Sequence, residues 1–188
     1  MCILKNSLIQ SHQLVKSIIK PGDHAVDATA GNGNDTVFLA EMVGEEGKVY
    51  SFDIQERALA ATAEKLKQKQ LENRVSLIHD GHQNMKKYIN QSVKAIMFNL
   101  GYLPGGDHSI GTKGNTTIEA IKAAMNLISV NGLVCVVVYY GGDSGFDEKN
   151  EVMDFITTID CRQFTVMKTE FVNQINCPPI LVCIEKYK

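Results

Sequence analysis

A short polar turn near the amino terminus has the residue types needed to bind a ligand through its main chain and through carboxylates. Two glycines, Gly31 and Gly33, follow an apolar stretch and let a ligand approach the backbone closely. Asp27 stands just before the turn and can accept a hydrogen bond from an ammonium group, while Asp53 ends the next apolar stretch and can accept from two ribose hydroxyls. These positions predict a ligand that joins an amino acid to a nucleoside.

Two common nucleotide-binding motifs fit this turn poorly. A GxGxxG motif needs a third glycine where this chain has Thr36, and a P-loop needs a Lys followed by Ser or Thr. S-adenosylmethionine is therefore favoured as the cofactor over a nicotinamide dinucleotide, and a dehydrogenase is the weaker alternative. The predicted cofactor-binding residues are Asp27, Thr29, Ala30, Gly31, Asn32, Gly33, Asn34, Asp35, Thr36, Asp53, Ile54, Gln55, Asp80, Gly81, His82 and Asn99.

A second loop has residue types suited to positioning an amine. Its sequence, Asn99-Leu100-Gly101-Tyr102, resembles the Asn-Pro-Pro-Tyr motif of amine-modifying methyltransferases, with Leu and Gly in place of the prolines. The Asn99 side-chain oxygen and the Leu100 carbonyl can accept hydrogen bonds from an amine and aim its lone pair at a methyl group. Tyr102 can stack on a nucleobase or close the pocket. We therefore predict an N-methyltransferase site, with a structural glycine-rich turn as the alternative.

Further candidates follow in this loop and in the next one. A primary amine is mostly protonated at neutral pH, so a proton must leave before methylation, and Asp107 and His108 are the nearest groups that can take it. Tyr140, after the fifth predicted strand, is expected to face the same edge of the sheet and to line the substrate mouth, although a plain surface loop is an equal alternative.

The apolar pattern predicts the fold that positions these loops. Short apolar runs at 24–29, 48–54, 75–79, 95–99 and 133–140 alternate with helical patterns, which is typical of parallel strands joined by helices. Residues 163–172 and 180–186 are expected to form a carboxyl-terminal antiparallel hairpin. The fold class is therefore α/β, a doubly wound sheet of seven mostly parallel strands. We predict a single domain, with a helix in residues 1–20 and the core in 21–188.

Two local signals are predicted to bound the fourth helix of the chain. Thr116 and Glu119 have the spacing of a capping box, which predicts that the helix begins there. Asn131-Gly132 is expected to end it.

Composition excludes some classes of protein. A net charge of −2 disfavours a protein that coats nucleic acid through a broad basic surface. The five cysteines include no CxxC pair, which favours reduced thiols and no metal site. No stretch in residues 1–20 is apolar enough for a signal peptide or membrane span, so we expect a cytoplasmic protein without a membrane partner.

Taken together, the motifs resemble one family. Beyond a general likeness to class I methyltransferases from Pro21 onward, they resemble the small bacterial family long labelled "putative rRNA methylase" (YtqB-like). The matching segments are Asp27 to Thr36, Asp53-Ile54-Gln55, Asp80-Gly81-His82, Asn99 to Asp107 with Pro104, Gly105 and Gly106, Pro178-Pro179, and Ile184-Glu185-Lys186.

The resemblance implies a specific reaction. Members of the family are assigned as MnmM-type methyltransferases that act as dimers on 5-aminomethyl-2-thiouridine at the tRNA wobble position. It thus implies tRNA, through its anticodon loop, as substrate, a homodimer, and substrate contacts from Tyr102, Pro104, Gly105 and Gly106, to which Tyr140 is added by its position after the fifth predicted strand. The alternatives are methylation of rRNA or of a small-molecule amine, and a catalytically inactive module that binds S-adenosylmethionine.

Overall fold

Apolar runs and amphipathic segments form strands and helices in alternation. The computed structural model describes residues 6–101, 112–141 and 145–188. Its strands are β1 (His24–Asp27), β2 (Lys48–Asp53), β3 (Val75–His79), β4 (Val93–Leu100), β5 (Ile128–Val138), β6 (Phe164–Thr169) and β7 (Ile180–Lys186). Its helices are α1 (Ser7–Ile18), α2 (Asn34–Val43), α3 (Glu56–Gln68), α4 (Gly114–Leu127) and α5 (Gly145–Thr157), with 3₁₀ turns at Glu72–Arg74 and His82–Lys87. Within these three ranges no helix has the length and apolar character to span a membrane.

The strands form one sheet in the order β3-β2-β1-β4-β5-β7-β6. Strands β1 to β5 pair in parallel, and β7 is antiparallel to both β5 and β6. The predicted doubly wound sheet with a carboxyl-terminal hairpin is confirmed. Strand order reverses between β1 and β4, and ligands of open α/β sheets bind at the carboxyl ends of the strands beside such a reversal.

Both faces of the sheet are covered, as β4 shows by its alternation. Ala95 and Met97 belong to the core under α1, α2 and α3, whereas Ile96 and Phe98 belong to the core under α4 and α5. A strand buried on both faces leaves only its end for chemistry. The polar residue that follows this apolar run, Asn99, therefore meets the ligand edge.

Helix α1 packs across β5 and β7, far along the chain from its own position. It begins at Ser7 because the Asn6 side chain caps it, accepting from the Ile9 N–H at 2.9 Å. The Ser7 hydroxyl donates to the Pro179 carbonyl just before β7, and Val15 is fully buried against the sheet. The predicted amino-terminal helix is thus docked on the core.

Two of the predicted helix boundaries are wrong. Helix α4 begins at Gly114, and the Thr116 hydroxyl donates to the Lys113 carbonyl instead of capping an amide. The helix ends at Leu127, so Asn131-Gly132 lies inside β5. Asn131 has a φ of +58°, and the β4–β5 register shifts nearby, between Val93 and Ala95. The Asn-Gly pair is an irregularity in the strand rather than a helix stop.

Candidate functional site

Neighbouring elements hold the turn after β1 in a fixed shape. Gly31 and Gly33 have positive φ values of 51° and 75°. Lys65 of α3 donates to the Asn32 carbonyl at 2.6 Å and to Asn34 Oδ1 at 2.7 Å. A Cβ on Gly33 would lie 2.9 Å from Thr62 Oγ1 and 3.0 Å from Thr62 Cα. Glycine is therefore required at 33 by the approach of α3, while the Gly31 backbone lines the ligand cavity.

Replacing Gly33 by Ala should destabilise the protein, because it adds both backbone strain and a clash with Thr62. We expect a loss of about 1–3 kcal/mol, or roughly 3–10 °C in Tm for a chain of this size. Gly22→Ala is the matched control, since Gly22 also has a positive φ, 91°, but has nothing within 4 Å of a built Cβ. Thermal unfolding of both variants tests this, and equal losses would show that the contact with Thr62 is unimportant.

Asp27 lies beneath the turn and is fully buried. Its Oδ1 accepts from the Thr29 N–H at 3.1 Å and its Oδ2 from the Thr36 hydroxyl at 2.5 Å. The Thr36 Oγ1 atom itself lies 2.8 Å from Ser51 Oγ. Burial, followed by the negative charge of nearby Asp35, raises the pKa of Asp27 from 3.8 to about 7. In this structure Asp27 shapes the turn, and its predicted contact with an ammonium group stays a prediction.

Asp27 should make the protein less stable as the pH rises from about 4 to about 7. Between its unfolded and folded pKa values the native state retains a proton that the unfolded chain releases, so stability is greatest below the unfolded pKa and declines through the folded one. Asp27→Asn should flatten this decline, by at most a few kcal/mol, since one pKa unit is worth about 1.4 kcal/mol. Urea unfolding at several pH values measures the slope. An unchanged slope in Asp27→Asn would contradict the assignment.

A cavity of about 280 Å³ opens at the carboxyl ends of β1, β2 and β4. The predicted residues on its wall are Thr29, Gly31, Asp53, Ile54, Gln55, Asp80, Gly81, His82 and Asn99. Asp53 Oδ2 accepts from the Gly31 N–H and Oδ1 from the Gln55 N–H, both at 2.9 Å. The carboxylate thus joins the two loops that flank the cavity.

The segment after β3 forms another wall. Asp80 accepts hydrogen bonds from the Gly81 N–H, Asn84 Nδ2 and the Tyr88 hydroxyl, at 2.7 to 2.8 Å. Those from Asn84 and Tyr88 lower its pKa most. The buried His82 places Nδ1 3.1 Å from the Ala28 carbonyl, and burial lowers its pKa. The carbonyl only accepts, so the neutral ring carries its proton on Nδ1 and leaves Nε2 as an acceptor. Through its three hydrogen bonds Asp80 organises the 3₁₀ turn, and both Asp80 and His82 line the cavity.

Asn99 is the most informative residue of the site. Its N–H donates to Thr29 Oγ1 at 2.8 Å, and its side-chain Nδ2 donates to Asp35 Oδ2 at 2.6 Å. The other side-chain atom, Oδ1, is buried and has no hydrogen-bond partner, the one such side-chain atom in the part of the chain that the structure describes. A buried acceptor without a partner is costly. Asn99 lines the cavity, so a donor on a bound ligand can supply the missing hydrogen bond.

Asp35 makes contacts that the sequence did not suggest. It is 4% exposed, and its Oδ1 lies 2.6 Å from His12 Nε2 of α1. Asp35 thus binds Asn99 and His12, and it is not on the cavity wall. His12 was missed because α1 has an ordinary amphipathic pattern, and no motif marks this residue.

The base of the loop after β4 is closed by a hydrogen-bonded clasp. The Gly101 N–H donates to Thr112 Oγ1 at 2.9 Å, and the Thr112 N–H donates to the Gly101 carbonyl at 3.1 Å. Buried Glu148 of α5 accepts from the hydroxyls of Thr112 and Thr117, both at 2.7 Å. Thr112 and Glu148 were missed, and Thr112 also lines the cavity with Lys113 and Thr116.

The remaining predicted residues fall into four groups. The Leu100 carbonyl already accepts from the Tyr139 N–H at 3.1 Å, which leaves Asn99 Oδ1 as the free acceptor of the pair. Tyr140 packs edge-on against Phe146, with Lys149 over both rings. Ala30, Asn32, Gly33, Asn34 and Thr36 belong to the turn but not to the cavity wall. Tyr102, Pro104, Gly105, Gly106, Asp107 and His108 lie outside the described residues.

Comparison with known proteins identifies the family. The sequence pattern of the family described as "Putative rRNA methylase" matches residues 49–185. The chain belongs to this rRNA methylase family. It is 36% identical over 186 residues to the chloroplastic tRNA (mnm(5)s(2)U34)-methyltransferase of Arabidopsis thaliana, covering 94% of this chain and 68% of that protein.

Solved structures of this methylase family agree closely with the fold. A crystal structure described as an rRNA methylase from Clostridium thermocellum has a TM-score of 0.97 at 58% identity, covering 98% of this chain and 100% of that one. A methyltransferase from Streptococcus mutans, solved in complex with SAH, has a TM-score of 0.90 at 43% identity and covers 98% and 99% of the two chains.

This methylase is an S-adenosylmethionine-dependent methyltransferase. The cavity fits that cofactor in two respects. The Asp53 carboxylate on its wall suits the hydroxyls of a ribose, and the exposed apolar side chain of Ile54 suits an adenine ring. In the described part of the chain, no group of three metal-ligating residues is close enough together to hold an ion.

Proposed function

We propose that this methyltransferase methylates the 5-aminomethyl group of wobble 5-aminomethyl-2-thiouridine in tRNA, giving the 5-methylaminomethyl form. The observation that carries the proposal is the buried, unpartnered Oδ1 of Asn99, a residue that lines the cavity. This atom can accept a hydrogen bond only from a group that has one to donate, such as an amine. The similarity over 94% of this chain to a tRNA methyltransferase named for that wobble nucleoside supports the choice of acceptor.

The cavity wall offers a place for each part of the cofactor, which supplies the methyl group. Asp53 would hold the ribose hydroxyls and Asp80-Gly81-His82 the adenine edge, while the backbone from Thr29 to Gly31 would hold the amino acid end. Cofactor held in this way would offer its methyl group for transfer near the end of β4, where Asn99 lies. Cofactor and acceptor would therefore meet between β1 and β4, where the strand order reverses.

Asn99 would act by orientation. One N–H of the acceptor amine would donate to Asn99 Oδ1, which turns the nitrogen lone pair toward the methyl carbon. The ammonium form of the amine would first lose a proton, which frees the lone pair, and as the new N–C bond then formed, the C–S bond would break with its electrons on sulfur. Asp107 and His108 stay our candidates for accepting that proton. Holding the amine in line accounts for most of the acceleration, as expected for reactions limited by orientation.

A tRNA acceptor suits the charge of the protein. An anticodon loop already presents its wobble base unpaired, so little basic surface is needed to expose it. Lys113, which lines the cavity, offers one positive charge for a phosphate or a base. The homodimer implied by the family resemblance is part of this proposal, and analytical ultracentrifugation of the purified protein would measure it.

Nucleoside mass spectrometry tests the proposal. Total tRNA from a strain lacking this protein should contain 5-aminomethyl-2-thiouridine, and incubation with the purified protein and S-adenosylmethionine should convert it to the methylaminomethyl nucleoside. Ribosomal RNA from the same strain is the parallel substrate, because the family description names rRNA. Methylation of rRNA with unchanged tRNA would overturn the tRNA assignment and leave the methyltransferase assignment in place.

A further inference from the structure

Helix α1 brings one side chain, His12, into contact with the site. The His12 ring stacks in parallel on Phe38 of α2, with centroids 4.1 Å apart and planes 1° apart. Its Nε2 lies 2.6 Å from Asp35 Oδ1, and the Asp35 Oδ2 accepts from Asn99 Nδ2 at the same distance. His12 is 26% exposed and Asp35 is 4% exposed, so the chain of contacts runs from the surface of α1 to the cavity wall.

These contacts from His12 through Asp35 determine how the side-chain amide of Asn99 is oriented. A carboxylate has acceptor oxygens only, so the Asn99 side chain must turn its NH₂ toward Asp35 and its Oδ1 away from it. A half-turn of the amide would place the NH₂ on the cavity side and two oxygens against each other. An Asn side chain without this neighbour has no such preference, because its two ends have nearly the same shape.

We propose that Asp35 and His12 are positioning residues that hold the Asn99 amide in the orientation that accepts a hydrogen bond from the substrate. Asp35 selects the orientation, and His12 holds Asp35 through Nε2 while Phe38 holds the imidazole ring. The arrangement favours acceptors that carry an N–H or O–H to donate over groups that only accept. The inference rests on the proposed amine substrate, and it assigns α1 a part in the site.

Kinetic constants of single variants test the two residues. Asp35→Asn keeps the size of the side chain but offers Asn99 either an oxygen or an NH₂, so it should lower kcat about tenfold or more and leave the S-adenosylmethionine Kd within about threefold. His12→Ala should lower kcat in the same way, and His12→Gln, whose amide can still donate to Asp35, should recover most of the loss. Gln13→Ala, an exposed neighbour in α1, is the matched control and should behave as wild type.

The amide of Asn99 can also be observed without any substrate. In ¹⁵N-edited NMR spectra its NH₂ signals are identified by their loss in Asn99→Ala. They should shift in Asp35→Asn and His12→Ala but not in Gln13→Ala. If these signals and kcat are both unchanged in the two site variants, the inference is wrong.

The two assays also separate this inference from the proposed function. If the wild-type protein fails to methylate tRNA but methylates another amine, the tRNA proposal fails and the same variants are compared on that amine. A wild-type rate in His12→Ala would remove His12 from the network even if Asp35→Asn behaves as expected. Should Asp35→Asn fail to fold, the comparison of His12→Ala with His12→Gln decides the outcome.

Discussion

Asn99→Ala should lower turnover roughly 100-fold while changing the affinity for S-adenosylmethionine by less than about threefold. The substitution removes Oδ1, the buried acceptor of a cavity-lining residue, and with it the hydrogen bond that we assign to the substrate amine. The backbone of residue 99 can still donate to Thr29 Oγ1, so the link between β4 and the turn after β1 is kept. Isothermal titration with the cofactor and single-turnover rates with the amine substrate measure the two effects separately.

Asn126→Ala provides the control for the Asn99 variant. Asn126 is exposed on α4, and its side chain contacts only the Lys122 carbonyl one turn earlier among the contacts that the structure shows. It should have wild-type turnover and affinity. A large loss of cofactor affinity in Asn99→Ala, with normal folding, would place Asn99 in the cofactor site rather than at the acceptor.

Asp53→Ala should weaken S-adenosylmethionine binding about 100-fold or more, because two hydrogen bonds to a charged group are worth roughly 1.5–3 kcal/mol each. Asp53 also accepts from the backbone of Gly31 and Gln55, so its loss should loosen both loops beside the cavity. Asp53→Asn is the matched variant, since it keeps the shape and one acceptor oxygen, and we expect it to bind with intermediate affinity.

Calorimetric titration with S-adenosylmethionine and with its demethylated product measures the effect of Asp53. Circular dichroism of each variant first establishes that the sheet is intact, because Asp53 is part of the turn as well as of the cavity. Wild-type affinity in a folded Asp53→Ala protein would show that the ribose is held elsewhere. We would then examine Gln55, the neighbouring cavity residue with a polar side chain.

Patterns among residues that are close together in the sequence predicted most of the fold. β3 and β7 have the predicted bounds, and β1 and β2 differ only at their carboxyl ends. Runs of apolar residues report burial directly, and burial defines these strands. The predicted start and end of α4 were both wrong because local sequence signals were taken as sufficient to define where a helix begins and ends. The chain passes directly from Leu127 into β5, and pairing with β4 accommodates the Asn-Gly pair through one residue of positive φ.

Site residues could be predicted where they directly follow a strand. They could not be predicted where they depend on a contact between residues far apart in the sequence. Asp53 and Asn99 each end an apolar run, so the order of strands alone places them at one edge. His12 meets Asp35 only because α1 crosses β5 and β7, a packing choice that no spacing in the first twenty residues reveals. Glu148 was likewise hidden, since its partners Thr112 and Thr117 are more than thirty positions away.

The clasp between Gly101 and Thr112 has a consequence for how such enzymes diversify. Gly101 and Thr112 are hydrogen-bonded to each other, so the sequence between them can change in length without altering the spacing of β4 and α4. Closing a somewhat longer loop costs little entropy. Variation in this segment can therefore tune which acceptor is taken, while Asn99 and the cavity that binds the methyl donor are kept.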